Sequence, residues 1–388
     1  MKKFWLKGCM AALFAIVMGA FVACDNEEPE IDSEEQAQKE VLVNYVDKTV
    51  IPTYKAMAEA ALQMRIANQA LKTNPSDANM QAAATAWMAA RIWWEKSEAW
   101  LFGPVSEDGF DIDGHIDSWP LMLEGIQESI LEKNGNITGT QAWEDLDAEV
   151  IGFHTTEYLL FREGQARPVA DLSEAELKYL TAVTDALVWD CVLAYVAWAG
   201  EDHVADDIKA VFHENPAVVN RLAEHQAFAD FATKMKTANG YPSFSVALSD
   251  IPVGIRDIAG EVGEVKILSP YENQRVEEVE SWYSWHSLDD YENNIQSIKN
   301  AYLGGLDNNS RTSVSLSSFV AAKNPQLDTK AKQAIEDCIA KIRAIGTGGK
   351  SFYEVVRDQV NGEEVQAAAE ACAAIDNVFA EIEALIGE

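Results

Sequence analysis

The amino-acid sequence predicts an all-α protein built from two helical domains. Apolar residues recur at helical spacing along most of the chain, and the alternation that is typical of strands is scarce. No glycine- and proline-rich linker interrupts this pattern. The chain has 388 residues, which exceeds what one hydrophobic core usually accommodates. We therefore expect two domains that meet near the stretch His213-Glu-Asn-Pro216.

Helix-capping signals and apolar periodicity together define the predicted helices. Asn74-Pro75 ends the first helix, and Ser76 can cap the second. Ser173-x-x-Glu176 has the capping-box pattern, and Ser287 precedes acidic residues that suit a first helical turn. The predicted helices cover about residues 35–72, 76–102, 141–162, 173–201, 217–238, 244–267, 287–303, 328–345 and 363–386.

The N-terminal residues have the pattern of a processing signal. Lys2 and Lys3 precede an apolar run from Cys9 to Ala23 that is too short to span a bilayer comfortably. The run ends in Phe-Val-Ala-Cys24, a loose lipobox in which Cys24 becomes the lipidated first residue. We expect a lipoprotein signal peptide over residues 1–23; an ordinary secretory signal is the alternative.

The residues after the lipobox are acidic and predict a disordered tether over residues 24–34. An N-terminal helical half over residues 35–213 and a C-terminal half over residues 214–388 complete the predicted organisation. The expected location is the outer membrane, as a lipoprotein that faces either the periplasm or the cell surface.

The formal net charge of −33 restricts the partners of the chain. Such a charge argues against binding to nucleic acid and to anionic membrane surfaces, so a lipid anchor would be the sole membrane contact. The negative charge suits a cation as partner, although the need for solubility alone also explains it.

Cys338 and Cys372 lie in helical patterns and could form a disulfide, but buried free thiols are the favoured interpretation.

The pattern Gly152-x-His154-x-x-Glu157 is the clearest candidate for a site. Its flanks are apolar, so the segment is predicted as a helix interior in which His154 and Glu157 share one face. An imidazole beside a carboxylate can bind a transition metal or act as an acid/base pair. Glycine within a helix costs about 1 kcal/mol relative to alanine, so Gly152 should have a specific reason. A simple intrahelical ion pair is the alternative.

Four sequence blocks in order resemble those of the imelysin-like proteins. This family, also called peptidase family M75, includes iron-regulated bacterial lipoproteins. Besides Gly-x-His-x-x-Glu, the matching blocks are Ala90–Pro104, Ile116–Pro120 and Glu280–Ile295. The resemblance implies two halves, each like a four-helix bundle, with the site between them.

The resemblance also adds residues to the candidate site. Arg91 and Glu98 share one face of the predicted second helix, where a solvated charged stripe is the alternative interpretation. Asp113, in an irregular loop, could contribute an oxygen, and the second half should bring Glu280 and Ser284 to the crevice. We expect His154, Glu157 and Glu98 to bind the metal or ligand, with the other residues and Gly152 in support.

Two classes of function remain open from the sequence. The first is a protein that binds a divalent or trivalent metal ion, such as iron or zinc, or a small ligand. Its expected setting is iron uptake with other envelope iron-transport components. The second is a metal-dependent peptidase of the M75 type, which would need three protein ligands, an activated water and a separate base. The sequence has no His-Glu-x-x-His motif, and the family name alone does not establish an enzyme.

Lipid anchoring can be tested at Cys24. Replacement of Cys24 by Ala removes the atom that would carry the lipid, so Cys24→Ala should move the protein from the membrane fraction to the soluble fraction. Fractionation of cells followed by immunoblotting measures this change. Membrane association as tight as in the wild type would disprove the lipobox interpretation.

Overall fold

The structure is a computed structural model that describes residues 32–387. These residues form an all-α fold apart from one short β-hairpin, which confirms the predicted fold class. The predicted signal peptide and Cys24 lie outside the described residues. The first helix begins at Ser33, so the last two residues of the predicted tether are helical.

The first half of the described chain contains the hairpin and helices of very different lengths. A π-helical segment, Val46–Val50, joins the first two helices into one long rod. The elements are α1 Ser33–Tyr45, α2 Ile51–Thr73, α3 Asp77–Glu95, α4 Ile112–Ile116, α5 Leu123–Leu131, α6 Gly139–Asp145, α7 Gly152–Leu160, β1 Phe161–Arg162, β2 Gln165–Ala166, α8 Glu174–Ala199 and α9 Asp206–Phe212.

The second half is helical throughout its regular elements. A second π-helical segment, Glu261–Leu268, continues directly from the helix that precedes it. The helices are α10 Pro216–Glu224, α11 Phe231–Thr237, α12 Phe244–Gly260, α13 Ser269–Asn273, α14 Ser287–Leu303, α15 Leu316–Lys323, α16 Pro325–Ile345, α17 Phe352–Asp358 and α18 Gly362–Gly387.

Two sets of packed helices share one contiguous hydrophobic core. In the first set α2 and α7 pack against α8 while α3 packs against α2 and α7, and in the second α12, α14, α16 and α18 pack together. Contacts between α3 and α14 join the two sets.

Helix α8 is long and apolar enough to cross a membrane, but 94% of its most apolar window is buried inside the fold. It is therefore accounted for as a core helix.

Three predicted helices differ from the observed ones. The helix predicted over 76–102 ends at Glu95, and Glu98 lies in a separate 3-10 turn, Glu98–Trp100. The predicted helix 217–238 is divided into α10 and α11, since Asp230 adopts a left-handed conformation between them. The predicted helix 141–162 is divided into α6 and α7.

Gly152 explains the break before α7 and corrects its predicted position within a helix. It is the first residue of α7 and has a φ of 76°, a conformation that L-residues with a side chain rarely adopt. A Cβ atom at this position would lie 2.4 Å from the carbonyl oxygen of Ile116. Glycine is therefore required by the backbone, and it lets α7 begin against the loop after α4.

Gly152→Ala should destabilise the protein by about 1–3 kcal/mol, because the substitution adds both backbone strain and a clash with Ile116. Urea unfolding followed by circular dichroism measures this loss. Gly260→Ala is the matched control, since a Cβ there meets no atom within 4 Å and alanine favours a helix. Equal stabilities of Gly152→Ala and the wild type would contradict the account.

Candidate metal centre

Arg91 lies in the middle of a buried charged cluster between the two sets of helices. Its side chain is 1% exposed, with Nη2 2.5 Å from Glu95 Oε1 and 2.6 Å from Glu280 Oε1. Nη1 pairs with Asp117, and Nε lies 3.5 Å from Asp290 Oδ2. Since Glu95 belongs to α3 and Asp290 to α14, this one guanidinium connects both halves of the protein.

Asp117 reaches the cluster from the Ile-Asp-x-Trp-Pro turn that follows α4. Besides pairing with Arg91, its Oδ2 accepts a hydrogen bond of 2.7 Å from the indole Nε1 of Trp94. Burial alone would raise the pKa of Asp117, but Arg91 and His154 outweigh burial and hold the pKa well below its usual range. Asp117 is therefore an oriented, ionised carboxylate.

His154 and Glu157 share one face of α7, as the sequence predicted, and both are buried. His154 Nδ1 lies 3.3 Å from Glu157 Oε2. The other oxygen of Glu157 accepts two hydrogen bonds of 2.7 Å, from the backbone N–H and the hydroxyl of Ser284. Glu157 thus fixes the ring of His154 and leaves Nε2 directed at the cluster, 3.1 Å from Asp117 Oδ1 and 3.9 Å from Glu280 Oε1.

Lys266 forms the other side of the cluster. Its Nζ lies 3.0 Å from Glu98 Oε2, 3.3 Å from Glu280 Oε1 and 3.5 Å from Glu261 Oε1. Glu98 is buried and reaches Lys266 from the 3-10 turn after α3. Lys266 itself is on the π-helical segment Glu261–Leu268, so this contact also joins the two halves.

Carboxyl groups outnumber permanent cations in this cluster. Among the described residues, the cluster holds two such cations, Arg91 and Lys266, and six buried carboxyl groups, those of Glu95, Glu98, Asp117, Glu157, Glu280 and Asp290. Lys266 also contacts the partly exposed Glu261. Ionisation of all six in a buried site would be unfavourable unless protons or a further cation compensated the charge. The cluster therefore has an affinity for positive charge that its own side chains do not satisfy.

Protons take up part of this charge in the absence of an ion. Burial raises the pKa of Glu95 to about 7, even though Arg91 opposes the shift. Burial and the neighbouring Glu95 raise the pKa values of Glu98 and Asp290 well above the usual range. Burial and Arg91 lower the pKa of His154, but its contacts with Asp117 and Glu157 outweigh them and raise it to about 9.

The donor set fits a metal ion. Asp117, His154 and Glu280 each have one ligand atom within 4.8 Å of those of the other two, and so do Glu95, Glu98 and Asp117. Within the part of the chain that the structure describes, Glu280 Oε2 is buried without a hydrogen-bond partner, and His154 Nε2 faces the carboxylates of Asp117 and Glu280 at 3.1 and 3.9 Å. Buried polar atoms are normally satisfied, and a bound cation would satisfy the Glu280 oxygen.

Most residues predicted from the sequence meet in this one cluster. They are His154, Glu157, Glu98, Arg91, Glu280 and Ser284. The Asp113 side chain makes no hydrogen bond or ion pair with the cluster among the described residues; it lines a neighbouring pocket together with Glu98, and its backbone carbonyl accepts from the Asp117 N–H. Gly152 supports α7 through its backbone and holds no ligand.

Sequence reasoning missed Asp117, Lys266 and Asp290 as members of the site. Asp117 stands in the Ile-Asp-x-Trp-Pro block, where a lone acid next to a turn could have been considered. Asp290 lies in the first turn of α14, where an acidic residue is expected because it stabilises the helix, so the sequence gives no separate sign of a site. Lys266 has no local signal, because its role depends on carboxylates that are distant in sequence.

Together these features define an all-α protein with a buried carboxylate and histidine centre between two helical halves. The sequence model of the imelysin family, designated peptidase M75, matches residues 50–385. The chain therefore belongs to the imelysin family.

Individual relatives agree with this assignment. The chain is 28% identical over 265 residues to iron-regulated protein A of Synechococcus elongatus, covering 68% of this chain but 64% of that relative. A crystal structure of an iron-regulated protein A precursor from Parabacteroides distasonis has a TM-score of 0.75 and 29% identity, covering 92% of this chain and 96% of that one. An imelysin-like protein from Psychrobacter arcticum, at 14% identity, shares the fold with a TM-score of 0.59 over 90% of this chain and 94% of its own.

The raised pKa of Glu95 predicts a pH dependence of stability. The folded protein holds this proton up to about pH 7, whereas the unfolded chain loses it near its usual pKa. The stabilisation is complete below about pH 4.5 and is lost as the pH rises through about 7. In Glu95→Gln the side chain stays neutral, so its free energy of unfolding should fall less between about pH 5 and pH 7.

Urea unfolding at a series of pH values, with a chelator present, measures this slope. Glu107→Gln removes an exposed carboxylate far from the cluster and serves as the control, which should keep the slope of the wild type. An unchanged slope in Glu95→Gln would contradict the assignment of a proton to Glu95.

Proposed function

We propose that the buried cluster binds a divalent metal ion through Asp117, His154 and Glu280. The observation that supports this most strongly is the convergence of their ligand atoms within 4.8 Å, with Glu280 Oε2 lacking a hydrogen-bond partner among the described residues. The excess of carboxyl groups over cations provides the electrostatic attraction. One imidazole with carboxylate oxygens suits Fe²⁺, Mn²⁺ or Zn²⁺.

Glu157 in this proposal positions His154 and does not coordinate the ion. Both of its oxygens are engaged, one by Ser284 and the other by His154 Nδ1. A carboxylate that accepts the second N–H of a ligating histidine fixes the tautomer and the ring orientation. The Gly-x-His-x-x-Glu pattern thus supplies one ligand and the residue that orients it.

The names of the relatives support iron as the metal in this proposal. Two of them are named as iron-regulated proteins, and membership of the same family makes an iron-related role our proposal for this chain. The lipobox at Cys24 supports a place at the outer membrane, facing the periplasm or the surface. There the protein would bind iron, or a small ligand that carries it, beside other envelope components of iron uptake.

Binding accounts for the geometry better than peptide hydrolysis does. The crevice that leads to His154 is lined by Trp119, Trp282 and Tyr283 and has a volume of about 20 Å³, which holds roughly one water molecule. A peptidase must admit both a peptide bond and an attacking water beside its metal. A bare ion needs far less space, so the M75 peptidase remains the second candidate.

Equilibrium dialysis of the purified protein against Zn²⁺ or, under anaerobic conditions, Fe²⁺ tests the proposal. The wild type should bind about one ion, and His154→Ala should bind none at the same concentration because it lacks the nitrogen ligand. Glu157→Gln should bind about 10- to 100-fold more weakly, the usual effect of removing an orienting partner. The affinity of the wild type should rise from about pH 6 to pH 9, since His154 must lose a proton to coordinate.

His213→Ala is the matched control, since this half-exposed histidine pairs with Glu201 away from the cluster and its loss should leave binding unchanged. Circular dichroism must show that His154→Ala keeps its helices. Wild-type affinity in a folded His154→Ala would exclude His154 as a ligand, and no binding by the wild type would refute the metal centre.

A further inference from the structure

An acidic pocket adjoins the buried cluster. It has a volume of about 270 Å³ and shares the Glu98 side chain with the cluster. The rest of its wall is apolar, and no lysine or arginine lines it among the described residues. Its acidic lining residues are Glu98, Asp113, Asp250, Asp257 and Glu261. Cations that approach the protein on this side therefore meet a group of carboxyl oxygens next to the site.

Lys266 stands between this acidic pocket and the proposed ligands. Its side chain is 2% exposed, and its Nζ bridges Glu98 and Glu261 of the pocket wall to Glu280 of the cluster. The Lys266 ammonium thus lies between Glu261 on the side of the acidic pocket and Glu280 on the side of the cluster. The Glu261 side chain is 45% exposed, so the outer partner lies towards solvent.

The backbone that carries Lys266 is unusual in the same place. Glu261–Leu268 is π-helical, a conformation that is rare and is found frequently at functional sites. Both Lys266 and its outer partner Glu261 belong to this segment. The π-helical stretch therefore determines where the ammonium lies relative to the acidic pocket.

We propose that Lys266 is a tethered cation that neutralises the ligand Glu280 before an ion binds and withdraws towards Glu261 when a divalent ion enters from the acidic pocket. This inference rests on the proposed metal centre. Glu280 Oε1 already pairs with Arg91. A doubly charged ion added beside both Arg91 and the Lys266 ammonium would be strongly repelled in a buried site, so the ion and Lys266 compete for Glu280.

Arg91 cannot take this role, although it is also a buried cation. Its planar guanidinium is held at once by Glu95, Asp117 and Glu280, with Asp290 close to Nε. A lysine ammonium is a point charge on a flexible four-carbon chain, so it can move between partners. Arg91 therefore fixes the carboxylates, and Lys266 is the cation that can exchange with an ion.

Removal of the tethered charge tests the competition. We expect Lys266→Met to bind Zn²⁺, or Fe²⁺ without oxygen, at least tenfold more tightly than the wild type in equilibrium dialysis. Lys341→Met is the matched control, since it removes an equal charge at an exposed position and should leave affinity unchanged.

The failures of the two proposals are distinguishable. If the wild type binds the ion and a folded Lys266→Met binds it no more tightly, the competition is refuted while the metal centre stands. If neither protein binds Zn²⁺ or Fe²⁺, the metal centre is refuted and the role of Lys266 with it.

A measurement on the wild type keeps the proposal testable if Lys266→Met does not fold. Acetylation by a water-soluble succinimidyl ester, followed by peptide mass spectrometry, reports how accessible each lysine amine is. Saturation with Zn²⁺ should increase the labelling rate of Lys266 several-fold while that of Lys341 stays constant. An unchanged or slower rate at Lys266 in Zn²⁺-saturated protein would overturn the proposal.

Discussion

Carboxylates from both helical halves converge on the buried Arg91 guanidinium, and the position of the other groups follows from this convergence. Arg91 orients Glu95 on its own helix and Asp117 on the turn after α4, and it reaches Glu280 before α14. Removal of one partner from such a buried network leaves uncompensated charge, which typically costs about 3–5 kcal/mol. The interface between the halves is therefore also the framework of the site.

The excess of carboxyl groups over cations around Arg91 and Lys266 is the feature of the structure that bears most directly on the proposed function. A cluster built only for stability would need as many cations as ionised carboxylates, or apolar residues in their place. Here protons are shared among Glu95, Glu98 and Asp290, as their raised pKa values indicate. Under the proposed function, the site exchanges these protons for a metal ion, with Asp117 and His154 already oriented by their hydrogen bonds.

Local sequence signals were sufficient for the fold but only partly for the site. Apolar periodicity predicts α14 and α18 closely, because each buries one helical face, and the capping box at Ser173 marks the start of α8, which is buried almost all round. The same periodicity extends across the break before α7, since it does not detect the left-handed Gly152. His154 and Glu157 could be paired because they are three residues apart on one helix.

Contacts between residues that are distant in sequence could not be predicted from local patterns. Lys266 meets Glu98 and Glu280 through tertiary packing, and nothing in its neighbouring residues distinguishes it from a surface lysine. Asp113, by contrast, lies near Asp117 in sequence but lines the acidic pocket. Proximity in sequence to a conspicuous motif therefore did not predict which residues belong to the buried cluster.

Anomalous diffraction at the metal absorption edge, from crystals soaked in Fe²⁺ without oxygen or in Zn²⁺, tests the central claim most directly. We expect one dominant anomalous peak within about 2.0–2.2 Å of His154 Nε2 and of carboxylate oxygens of Asp117 and Glu280. A fully loaded crystal in which the ion lies elsewhere, with His154 Nε2 still unligated, would contradict the account.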